Sequence, residues 1–215
     1  MRLNDIHLPD YQFSETHSLD IKAEPSSVMS RVLDYRPEDE RLFRVAIALR
    51  ELPMRLMRKA DRPPPAAFGM DNFTLLEQVS DQGVAYGLAG KLWRADFGQS
   101  VIADARAFAA FAEPGSVKLV VGFACEPLDS GLTRVTTQTR VNCLDATALR
   151  SFRPYWYLIR PVSGMIRRRM LRTIAQIQPR PVVVGVGFSH GFQPTLTAQP
   201  NDVRLDAMLT EMGVV

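Results

Sequence analysis

Gly187-Phe188-Ser189-His190-Gly191 has the form G-x-S-x-G and follows the strand-like run PVVVGV. In that setting a serine can sit on a sharp strand-to-helix turn and act as a nucleophile. The surroundings argue against it: Gln193-Pro194 follows in place of a helix, and no histidine comes after His190 to serve as a base. Gly185-Val186-Gly187 begins like a dinucleotide turn, but the third glycine is misplaced and no strand–helix–strand unit fits behind it. His7, His17 and His190 are far apart, and none stands at a ligand spacing from another histidine, a cysteine or an aspartate. Walker-type G-K loops, H-E-x-x-H and C-x-x-C motifs are absent. No metal and no cofactor is therefore expected. Acid–base work would fall to single groups on strand-like segments: His17, Glu77 and Asp96. A carboxyl group enclosed by apolar walls keeps its proton to higher pH and can serve as an acid.

The densest charge lies in residues 152–177, FRPYWYLIRPVSGMIRRRMLRTIAQI. From Ala146 to Asn201 there are eight arginines and no Asp or Glu, although the net charge of the whole chain is only +3. An anionic partner would meet the protein there. On a helical wheel Phe152, Tyr155, Trp156, Ile159, Ile166, Met170, Ile174 and Ile177 fall in one arc about 100° wide. Arg153, Arg160, Arg168, Arg169 and Arg172 lie outside that arc. Arg167 borders it and is expected to snorkel, its stem on the core and its head in water. Single-strand nucleic-acid binding needs aromatics exposed beside the basic groups. Here the two sets separate, so nucleic-acid binding is not expected. A peripheral anionic membrane or an acidic protein partner, meeting Arg167, Arg168, Arg169 and Arg172, stays open.

These groups need a scaffold. A chain of 215 residues with 46% hydrophobic content can bury the core of one domain with a short appendage. No apolar run approaches a membrane span, and the first residues, MRLNDIHLPD, have no signal-like apolar stretch. The expectation is a soluble, cytoplasmic chain. Residues 11–21 alternate as a strand, with Phe13, Glu15, His17, Leu19 and Ile21 on one parity. Two short helices are expected next: one capped by Ser26 and Ser27, one opened by Pro37-Glu38-Asp39-Glu40. The triple proline at Pro63–Pro65 reads as a loop. FTLLEQV and VAYGLAGKLW form a hairpin signal, and ARAFAAFA is ambiguous between strand and helix.

Two strands then alternate clearly: Val117, Leu119, Val121, Phe123 and Cys125 share one face, as do Val135, Thr137, Thr139, Val141 and Cys143. A turn near 128–130 would place Cys125 opposite Leu132 and Cys143 opposite Pro114, too far apart for a disulfide. Asp145 caps a long helix in which Pro161 is expected to cause a kink or break around Arg160–Gly164. Past Pro179, residues 181–188 read as a strand and residues 202–213 as a short helix.

Strands followed by a long helix indicate an α+β fold: an antiparallel β-sheet curved around the C-terminal helix, with two short helices after the first strand. The stretches FSETHSLDIKAEPSSV, YGLAGKLWR, FAEPGSVKLVVGFACEP with LTRVTTQTRV, and FRPYWYLIRPVSGMIRR resemble the START/Bet v 1-like superfamily (SRPBCC, or helix-grip), in particular its uncharacterised bacterial members. The resemblance covers roughly residues 11–178, so the expected division is a helix-grip domain at 1–178 and an extension at 179–215. It implies a cavity between sheet and helix that takes a hydrophobic or amphipathic small molecule, without assured catalysis. Some members are cyclases or dehydratases, so an enzyme using a cavity carboxylate or tyrosine is the alternative. An interaction module working through the arginine face is the other. The expected ligand-binding lining is Leu75, Phe123, Thr137 and Thr139 from the sheet, Trp93 at the rim, and Tyr155, Trp156, Ile159 and Ile166 from the helix.

Overall fold

A computed structural model describes residues 3–56, 69–94, 98–176, 184–186, 188 and 207–214, with the side chains of 49–56, 130, 185, 208, 213 and 214 excepted. The chain divides into two compact units, Met1–Ile177 and Gln178–Val215. In the first, helix α1 (Leu3–His7) precedes strand β1 (Phe13–Ile21) and helices α2 (Pro25–Asp34) and α3 (Arg41–Leu56). Strands β2 (Thr74–Val79) and β3 (Gly83–Gly90), helix α4 (Ala105–Ala110), strands β4 (Val117–Pro127) and β5 (Thr133–Cys143) and helix α5 (Ala146–Ala175) follow. The five strands form one open antiparallel sheet in the order β1-β5-β4-β3-β2. The fold is α+β, with an open sheet and a long helix in the helix-grip arrangement.

The alternation read from β4 and β5 is the one that folds. Val121 pairs with Thr139, Phe123 with Thr137 and Cys125 with Val135, so these side chains share the face that meets α5. The register differs from expectation by about three residues in the sum of paired numbers. Cys125 opposes Val135 and Cys143 opposes Val117, because a 3₁₀ turn at Asp129–Gly131, with Gly131 at φ +72°, centres the hairpin later. Both thiols are buried and free.

Two apolar clusters fill the helix-facing side. One gathers Val28, Met29 and Val32 of α2 with Val84, Phe123, Val135, Met170 and Ile174. The other centres on Phe152 and Trp156 with Phe13, Leu88, Val117 and Val141. A third cluster covers the opposite face of the sheet, where Leu76, Ala85, Ala89 and Val120 pack under Phe108 of α4 and Leu8. The ambiguous run ARAFAAFA supplies that Phe108. It is a helix, capped by the Asp104 carboxylate accepting from the Ala107 amide at 2.7 Å.

Helix α1, which the sequence reading did not anticipate, is held on the same outer face. Asn4 donates to the Gln138 carbonyl at 3.0 Å, and the Arg140 guanidinium donates to the carbonyls of Asn4 and Leu8 and to Asp5. Helix α2 starts with Pro25 at its first turn rather than with a serine cap. Pro37–Asp39 is a separate 3₁₀ turn ahead of α3. Helix α5 is capped by Asp145, which accepts from the Ala148 amide at 2.8 Å, and it runs unbroken through Pro154 and Pro161. Of the expected kink or break, the break does not occur. Pro161 is exposed, and the carbonyl its ring leaves without a donor belongs to exposed Tyr157, where water can serve it.

In the second unit, β6 (Val184–Val186) pairs parallel with β7 (Ala207–Thr210), which pairs antiparallel with β8 (Gly213–Val214). The strand expected in 181–188 is present at its centre. The helix expected over 202–213 is not found in the described part, 207–213: Ala207–Thr210 is extended and bonded on both sides, and residues 202–206 lie outside the described residues. Pro63–Pro65, Asp96, Gly187, Ser189 and His190 lie outside the described residues.

Candidate functional site

The helix-facing side of the sheet is not apolar throughout. Alternation along β1 brings Glu15 and His17 to the same face as Phe13 and Ile21. Across the β1–β5 ladder Glu15 pairs with Thr139 and His17 with Thr137. These four residues make a polar layer, with the Trp156 cluster toward one end of the ladder and the Met170 cluster toward the other. From α5 the layer receives Arg167, whose Nη1 donates to Thr137 Oγ1 at 2.6 Å.

Glu15 Oε1 and His17 Nε2 lie 2.8 Å apart, and only 9% of Glu15 is exposed. Burial is the main reason that the Arg167 guanidinium is pulled down to about 10, and the nearby Glu15 carboxylate opposes the shift. The expected snorkelling is thus inverted. The residue as a whole is half-buried, yet its head is turned into the protein, where it meets a hydroxyl and the field of a carboxylate. Three polar atoms of the layer, Glu15 Oε2, Thr139 Oγ1 and Arg167 Nε, are buried without a hydrogen-bond partner among the described residues. Buried polar groups are ordinarily paired, and each unpaired one costs about 1–3 kcal/mol.

Gly164 makes room for this arrangement. It is buried on α5, and a Cβ there would stand 2.7 Å from Glu15 Oε1 and 3.6 Å from the His17 ring. The helix therefore passes close over β1, an edge strand, and a cleft of about 350 Å³ opens between them. Glu15, His17 and Gly164 line it, with Arg160 and Arg168 from the exposed flank of the helix. It combines a buried carboxylate, an imidazole able to donate or accept, and two guanidinium groups. Such a set can hold a polar or anionic group and can pass a proton between carboxylate and imidazole.

The residues expected to bind ligand are not all brought together. Trp93, Tyr155 and Trp156 surround Phe152, with ring centroids 6.2, 5.6 and 6.1 Å from it, and Phe13 lies 5.5 Å from Trp156. Phe123 belongs to the other apolar cluster, while Thr137 and Thr139 sit in the polar layer. Ile159 and Ile166 are half-buried on α5. Leu75 is not brought to the others: it stands on the far edge strand β2 with half its surface exposed.

Glu77 faces away from the helix. A bulge after Leu75 turns it to the outer face, where its Oε2 lies 2.7 Å from His7 Nε2 of α1. His17 was legible as a candidate, whereas Glu15, Gly164 and the inward head of Arg167 were not. The available signals were the shared parity of Glu15 with Phe13 and Ile21, and the position of Arg167 at the border of the apolar arc.

No family model matches this sequence, and no curated protein does so either. Among solved structures, a Mesorhizobium loti protein aligns at 11% identity and TM-score 0.34 over 75% of this chain and 98% of its own. A conserved protein of Geobacillus kaustophilus aligns at 9% identity and TM-score 0.36 over 76% and 96%. The di-domain ARO/CYC BexL from the BE-7585A biosynthetic pathway aligns at 10% identity and TM-score 0.34, over 82% of this chain and 54% of that one.

Proposed function

We propose that the first unit binds an amphipathic small molecule whose polar end enters the cleft between β1 and α5. The observation that carries this reading is the polar layer set into an otherwise apolar interface, with Glu15 Oε2, Thr139 Oγ1 and Arg167 Nε unpaired among the described residues. Glu15 lines the cleft, so a hydroxyl or amine on the ligand can meet its carboxylate, and an acidic group suits Arg160 and Arg168 at the flank. The cleft volume of about 350 Å³ suits a small ligand. The aromatic lining expected for an apolar end is in ring contact with itself, so that end has to displace or border the Phe152 cluster.

Native mass spectrometry of the full chain purified from its own host tests the proposal. A small-molecule adduct that is released on denaturation, and that is lost in Glu15→Gln, supports it. A clean apo mass overturns it.

One observation favours a second reading, an enzyme of the cyclase or dehydratase kind. The 2.8 Å contact between Glu15 and His17 is the geometry in which one group orients the other for proton transfer. Substituting His17→Ala separates the two readings. A binder keeps its adduct, weakened by about tenfold at most for one lost hydrogen bond. An enzyme loses turnover of that same molecule.

A further inference from the structure

The outward face of α5 is neither plainly polar nor plainly charged. Leu158 is 76% exposed, and Tyr157, Val162 and Met165 are exposed with it. At 100° per residue, Pro154, Leu158, Pro161 and Met165 stand on the side of the helix opposite buried Phe152, Trp156 and Met170. They form an apolar stripe about 16 Å long at the helical rise. Exposed arginines border and extend it: Arg153 and Arg160 on one flank, then Arg168, Arg169 and Arg172 beyond its end. Arg169 reaches Glu40 at 3.3 Å, while Arg153, Arg160, Arg168 and Arg172 form no ion pair among the described residues.

We propose that this face docks the protein on an anionic bilayer surface. Arginines and aliphatic side chains interleaved on one helical face match the two layers of a lipid interface, headgroup charge outside and acyl chain beneath. No Asp or Glu stands between Ala146 and Asn201, so α5 itself carries no acidic group to cancel the attraction. A nucleic acid would use the arginines but leave Leu158, Val162 and Met165 against phosphates and solvent, so it fits the face less well. Docking here is separable from the ligand reading: Arg160, Pro161 and Arg168 also line the cleft, but Arg153, Leu158, Met165 and Arg172 do not.

The test is co-sedimentation of the full chain with vesicles of phosphatidylcholine alone and of phosphatidylcholine mixed equally with phosphatidylserine. Binding only to the mixed vesicles, weakening as salt is raised, is expected. The double reversal Arg153→Glu with Arg172→Glu should weaken it by about tenfold or more, since each arginine near an anionic surface contributes a several-fold factor. Leu158→Gln with Met165→Gln should weaken it without changing the salt dependence. All four positions are exposed, so an unchanged thermal transition keeps the comparison fair. Equal binding to both vesicle types, no binding to either, or full binding by the double reversal overturns the proposal. A single-stranded oligonucleotide or an acidic protein that binds this face while mixed vesicles do not would also overturn it.

Discussion

Replacing Gly164 with alanine sets two effects of opposite sign against each other. In a helix interior alanine is favoured over glycine by about 1 kcal/mol, so a tolerated substitution stabilises. At this position the new Cβ would lie 2.7 Å from Glu15 Oε1, well inside ordinary contact. The carboxylate end has to move, and the 2.8 Å contact with His17 goes with it. Hydrogen bonds of the charged kind contribute about 1.5–3 kcal/mol, so the net expectation is a loss of about 0.5–2 kcal/mol.

Urea unfolding followed by tryptophan fluorescence measures it, since Trp93 and Trp156 both belong to the first unit. The midpoint should fall while the slope stays constant. The decisive comparison is a double-mutant cycle with Glu15→Ala. Once the carboxylate is gone, Gly164→Ala should change sign and stabilise by about 1 kcal/mol. If Gly164→Ala stabilises equally in both backgrounds, the two groups do not meet and the cleft has no such floor.

Burial lifts both thiols to about 11, so Cys125 and Cys143 should resist iodoacetamide at pH 8 in the folded protein and react quickly in denaturant. Fast labelling of the native chain would refute their enclosure. Tyr35 is raised to about 12 by burial, helped by the charges of Glu40, Glu38 and Asp39. A raised folded value means that its contribution to stability is complete below the unfolded value near 10 and is lost between 10 and 12. Burial raises Tyr86 as well, so absorbance titration should show more than one tyrosine ionising late, and Tyr35→Phe should remove one of those late steps. Trp156→Ala removes a ring packed on Phe13 and Phe152 and should cost about 3–5 kcal/mol in the same urea assay. A cost under about 1 kcal/mol would mean that the site collapses or is not core.

Much of the fold was legible because it rests on periodicity. Period-two alternation in residues 117–125 and 135–143 identified the faces of β4 and β5, and the apolar arc identified the buried side of α5. Asp145 announced where that helix begins. These signals are local, and each follows from a repeat that the backbone imposes on neighbouring side chains.

What tertiary structure alone decided is where local rules compete. The hairpin centre moved when Asp129–Gly131 took a 3₁₀ turn, and a bulge after Leu75 sent Glu77 to the opposite face. A one-residue slip in a strand exchanges every face, so such irregularities are decisive yet carry little sequence signal. Pro161 left α5 unbroken because its orphaned carbonyl faces water. The inward turn of Arg167 depended on Thr137, 30 positions away, and on the charge of Glu15 on another strand. The sequence by itself therefore determined which surfaces are buried. Which polar groups share that burial was settled only when β1, β5 and α5 came together, because pairing a buried charge needs partners from distant parts of the chain.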